Sequence, residues 1–120
     1  MNARLPNRPT PQFIDIDALC DEAESAGLAW ADAKAAAQAL EETRKSVLAT
    51  RMRRYFEEGL PANKAETLAL GEPDYQEFLS RMVKAGHAAD RARIRYDILK
   101  TRIELLRTNA STERAAMSMR

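Results

Sequence analysis

The chain has 120 residues and a formal net charge of +1, with 31% charged residues, 6% aromatics and a single cysteine. This length fits one domain, and the near-neutral balance excludes a wholesale acidic DNA mimic and any global pull toward nucleic acid. A lone Cys20 excludes an internal disulfide and a cysteine-rich zinc site, and abundant Ala, Leu, Glu, Lys and Arg read as long helices.

Residues 1–12 carry Pro6, Pro9 and Pro11 and two arginines. Proline removes a donor and restricts its neighbour, so this segment is expected to be a disordered arm, with Phe13 and Ile14 tucking back onto the body. A first long helix is expected over about 15–58. Asp15 or Asp17 caps it, and Asp21, Glu22 and Glu24 suit its positive end. Its apolar seam reads Ile16, Leu19, Ala23, Ala26, Trp30, Ala33, Ala37, Leu40, and then slips at Arg44. Val47, Leu48, Met52, Tyr55 and Phe56 resume it in a shifted phase, a stutter that locally unwinds a supercoil. Gly27 weakens the helix interior. Gly59 followed by Pro61 ends it.

Residues 59–73 are expected to form the turn, with a short helix over 63–70 ended by Gly71. Pro73 suits the first turn of a second long helix over about 73–108. Residues 111–120 read as a basic tail or an extension of that helix. The second helix carries an uninterrupted seven-residue apolar repeat from Tyr75 to Ala110, running through Phe78, Met82, Ala85, Ala89, Ala92, Tyr96, Leu99, Ile103 and Leu106. The predicted fold is therefore all-α: a long, coiled-coil-like antiparallel hairpin over 13–110 that self-associates. If Glu58 lies near Asp74, facing residues have numbers summing to about 132. That register sets Leu40 against Ala92, Ala33 against Leu99 and Trp30 near Ile103, large against small. A parallel dimer of the second helix is the alternative, and it sets the alanines against themselves.

Catalytic chemistry finds little support. His87, the only histidine, falls on the outer face of the second helix, and Cys20 reads as a small hydrophobe beside the seam. Carboxylates are interspersed with Lys and Arg, and there is no phosphate loop, nucleophile elbow or metal-ligand spacing. No enzyme activity, cofactor, metal or small-molecule substrate is expected. The absence of a span of roughly 18 to 20 apolar residues, and of a signal-peptide core, predicts a cytoplasmic protein without membrane contact.

Two basic clusters could hold nucleic acid. In the first, Arg51, Arg53, Arg54 and Tyr55 combine cations with an aromatic, the chemistry that grips a backbone and stacks bases. The competing structural account is that these cations complement the helix C-terminus. In the second, Arg102, Arg107 and Arg114 belong to a stretch from Ala88 onward with eight basic and four acidic residues. Residues 1–25 carry a local charge of −3, so intramolecular charge matching that fixes the antiparallel orientation competes there. Two helices leave Trp30, Leu48, Phe56 and Tyr96 half covered and Ile98 and Leu105 off the seam, which predicts a protein interface, most simply with another copy.

The stretch from Arg93 to Met117, with an Arg-x-Arg-Tyr element and an Arg-Thr…Ser-Thr-Glu-Arg-Ala ending, together with the Pro-Asp-Tyr helix start at 73–75 before it, resembles the C-terminal part of small uncharacterised helical proteins of tailed phages and prophages. The similar part runs from about Glu72 to the end. Genes of that kind often lie near recombination and replication genes. The resemblance implies an accessory role in those processes, in the host cytoplasm, by binding single-stranded DNA or a recombination or replication protein. The alternative is an adaptor, or an inhibitor of a host defence system, acting through the apolar helical face.

Overall fold

The computed structural model describes residues 15–119; the expected arm, Phe13 and Ile14 lie outside them. Three helices follow in order: α1 (Ile16–Glu57), α2 (Ala62–Leu70) and α3 (Pro73–Ser118). Together α1 and α3 make an antiparallel all-α hairpin whose longest dimension is 86 Å.

Local chemistry sets the boundaries. The Asp15 carboxylate accepts from the Ala18 N–H at 3.1 Å, which caps α1. At the other end Gly59 takes φ 87°. The Gly59 N–H donates to the Phe56 carbonyl and the Leu60 N–H to the Tyr55 carbonyl, both at 3.0 Å, which is a Schellman closure. In α2, Ala65 and Ala69 lie one turn apart and both are 0% exposed. Such small residues let α2 lie close along the end of α1, with which it makes most of its contacts. The Gln76 amide donates to the Leu70 carbonyl at 2.6 Å and ties the end of α2 to α3.

The second long helix runs ten residues farther than expected, to Ser118. Its polar end does not break it, because Thr108 and Thr112 satisfy their hydroxyls on the carbonyls of Glu104 and Thr108, both at 3.0 Å.

The seam holds residue by residue on α3: all eleven repeat positions from Tyr75 to Ala110 are buried or half-buried. On α1 the repeat also holds, and Arg44 is exposed where the phase slips; Ile16 and Phe56, however, stay 42% and 48% exposed. The register differs from the expected one. Tyr96 stacks on Trp30 and covers Gly27, while Arg51 reaches Asp74 and Tyr55 reaches Glu72. Those pairs sum to between 123 and 127. The pairings Leu40–Ala92, Ala33–Leu99 and Trp30–Ile103 are therefore displaced by about seven residues. A slip of one heptad returns every seam residue to the same stripe, so periodicity cannot detect it. Here α2 folds back on α1, and α1 overshoots the start of α3 by about one and a half turns.

Burial is concentrated near the two ends. Leu19, Ala23, Ala26 and Leu99 form one core, with Tyr96, Ile103 and Leu106 packed on it. Tyr75 and Phe78 are buried near the turn, their rings 6.2 Å apart. Between them only Ala89 is buried.

Candidate interaction surfaces

The first basic cluster is drawn into the hairpin turn. Arg51 bonds Asp74 at 3.1 Å, and its Nε lies 3.8 Å from Glu72. Arg54 Nη2 donates to Glu72 Oε1 at 3.2 Å and to the Tyr55 hydroxyl oxygen at 3.1 Å. The Tyr55 hydroxyl in turn donates to the same carboxylate oxygen at 2.6 Å. Glu72 stands at the N-cap position of α3, where its carboxylate makes no cap bond of its own and its side chain is only 15% exposed. The Tyr55 hydroxyl, and after it the Glu72 carboxylate, raises the Arg54 pKa above its ordinary value. Three of the four residues in this cluster thus hold the turn together. Arg53 stays exposed. Sequence reasoning missed Glu72 and Asp74 as their partners, since eighteen or more residues separate Glu72 from the arginines it binds and only the register brings them together.

The second cluster lies at the far end of the hairpin. Arg53 and the start of α1 are about 55 Å apart at helical rise, so the two groups do not make one site. Arg107 and Arg114 line a shallow groove with Ile16, Ala110, Ser111 and Met117. Arg102 stands beside Ile98 and Leu105 on a different side of α3. The predicted matching of charges between the helices is represented by Arg95 and Glu22, 3.5 Å apart. Both side chains are more than half exposed, so the pair contributes little.

The predicted partner interface divides. Trp30 and Tyr96 occupy one another, their ring centroids 5.7 Å apart and their planes 29° off parallel. Lys34 Nζ lies 5.9 Å from the Trp30 ring. Gly27 makes room for this stack: a Cβ there would stand 3.1 Å from the Tyr96 ring. Leu48 is half-buried on the seam. Ile98 and Leu105, 55% and 60% exposed, share the outer side of α3 with Ile94 at 57%. A groove of about 440 Å³ runs over Ile94, Asp97, Ile98, Thr101, Arg102 and Leu105.

His87 is exposed and Cys20 is a free, half-buried thiol. Among the described residues no three His, Cys, Asp or Glu side chains gather as metal ligands, and no helix is long and apolar enough to cross a membrane. Compared with known proteins, the chain matches no family model, no curated protein and no solved structure.

Proposed function

We propose that this chain is a non-enzymatic helical adaptor that receives a partner's helix along the incompletely covered seam of its hairpin. The burial pattern carries this reading. The apolar repeat is continuous, yet α1 has no buried residue after Ala26, and Trp30, Leu40, Val47 and Leu48 remain half-exposed. A third amphipathic helix laid along the seam removes that apolar surface from water at about 25 cal/mol per Å². The partner is a protein, and its capture from infected or expressing cells tests the reading. Leu48→Gln with Phe56→Gln should abolish capture of a specific protein, while Arg53, Arg102 and Arg107 changed to Gln should leave it intact. The reverse pattern would exclude docking on the seam. Inhibition of a host defence protein is one form this docking could take.

A second reading is an accessory role in DNA recombination or replication with direct contact to single-stranded DNA. The exposed Arg91, Arg93, Arg102, Arg107 and Arg114 of α3 favour it, as does the resemblance to phage proteins. A mobility shift on single-stranded DNA at two salt concentrations tests it. Affinity should fall steeply with salt, with a log–log slope near −0.7 per phosphate contacted. No shift at low salt excludes direct contact.

A further inference from the structure

A second stripe, carrying three large apolar residues among polar ones, runs along α3 roughly opposite the hairpin seam, with Ile94 and Ile98 also bordering a groove beside Glu22 of α1. Arg91, Ile94, Ile98, Thr101, Leu105 and Thr108 recur at spacings of three and four. At 100° per residue this stripe lies roughly 160° around the helix from the hairpin seam. Its three large apolar members are 55–60% exposed, while every seam residue between Ala89 and Ala110 is buried or half-buried. Thr108 satisfies its hydroxyl inside its own helix, so it can face an apolar partner.

The two edges of this stripe carry opposite charges. Asp90, Asp97 and Glu104, each one residue before a stripe position, form one edge; Arg95 and Arg102, each one residue after, form the other. In a parallel pair of helices the residue before one core position meets the partner's residue five positions further on. Here that rule matches Asp90 with Arg95 of a second copy and Asp97 with Arg102 of a second copy, twice over by symmetry. An antiparallel pair instead sets each edge against itself, acid on acid and base on base. Among the described residues Asp90, Arg102 and Glu104 have no ion-pair partner within the chain. Asp97 and Arg95 have only long, exposed pairs at 3.7 Å and 3.5 Å.

We propose that the outer stripe of α3 is a parallel, in-register homodimer interface over about 91–108, coded by the Asp90–Arg95 and Asp97–Arg102 pairs across two copies. The inference goes beyond the adaptor reading and uses the opposite face of α3 from the seam, so either can fail alone. The contact is about 26 Å long at helical rise. Two hairpins then lie side by side with both α3 helices at the centre and both seams outward.

Sedimentation equilibrium of the full chain, over a range of concentrations, tests the proposal. The chain should dimerise reversibly. Ile94→Gln/Ile98→Gln/Leu105→Gln should raise the dimer dissociation constant roughly 100-fold or more, with circular dichroism unchanged because these side chains are already exposed. Thr108→Cys in a Cys20→Ser background should form an intermolecular disulfide, since parallel pairing sets the two 108 positions together. Asp90→Arg/Asp97→Arg and Arg95→Asp/Arg102→Asp should each be monomeric alone and dimerise when mixed. A monomer at all concentrations, a dimer indifferent to the triple substitution, or a Thr108→Cys dimer that forms no disulfide would each overturn the proposal. A seam-docked protein captured by a chain that stays monomeric would leave the adaptor reading standing.

Discussion

Near the turn, buried Tyr75 and Phe78 lie within a few residues of a polar latch in which Arg51, Arg54 and Tyr55 converge on Glu72 and Asp74. At the open end, Leu19, Ala23, Ala26 and Leu99 close the hairpin with apolar packing under the Trp30–Tyr96 stack, and the cross-helix ion pair Arg95–Glu22 there is exposed. The difference separates two jobs. Directional hydrogen bonds with few solutions fix the turn, where chain reversal must be specified. Size matching of large against small residues suffices at the open end, where two helices already run side by side.

Substitutions ordered by expected effect probe that contrast. Tyr75→Ala, at 1% exposure, should cost about 3–5 kcal/mol in chemical denaturation. Leu99→Ala should cost about 2–5 kcal/mol, with amide exchange rising first around Leu19–Ala26. If instead exchange rises equally at the turn, the two ends are one cooperative unit and the contrast breaks. Glu72→Gln removes the charge on which three side chains converge and should cost about 1–3 kcal/mol, with exchange rising at the turn alone. Arg95→Ala, at an exposed pair, should change stability by less than about 1 kcal/mol.

The pH dependence of the latch follows from its sign. The Arg54 pKa is raised in the folded chain, so its contribution is complete below the ordinary arginine value and is lost only as pH rises through the raised one. Across pH 6 to 9 the melting temperature should therefore show no step from Arg54. A step that disappears in Arg54→Gln would contradict the assignment.

Much of the fold was legible in the residues. A capping aspartate, a glycine and a proline marked helix ends to within one or two positions at Asp15, Gly59 and Pro73, because each acts on the backbone beside it. The stripe from Tyr75 to Ala110 named the packed face of α3, because period alone places a side chain around a helix. Register was not legible, because a heptad slip leaves that stripe unchanged and only particular contacts, such as Tyr96 over Gly27 and Tyr55 to Glu72, tell one heptad from the next. For the same reason the residues left the basic cluster at Arg51–Tyr55 open between gripping phosphate and complementing the end of α1: its partner Glu72 becomes a neighbour only once the slip is known. The end of α3 was also obscure, since the Thr108, Asn109, Ser111 and Thr112 run resembles a terminus, and its threonines and Ser118 turn their hydroxyls back onto the helix.

Gly27 looked like a soft spot, yet it is the slot into which the Tyr96 ring fits. A helix face with one missing side chain opposite one large ring behaves as a vernier mark. Sliding α3 by a turn lifts the ring out of the slot and onto a side chain, so alignment is measured here, far from the loop. Insertions in residues 59–61 should then be tolerated with the helices still aligned, since the chain checks its own offset at a distance from where its length varies.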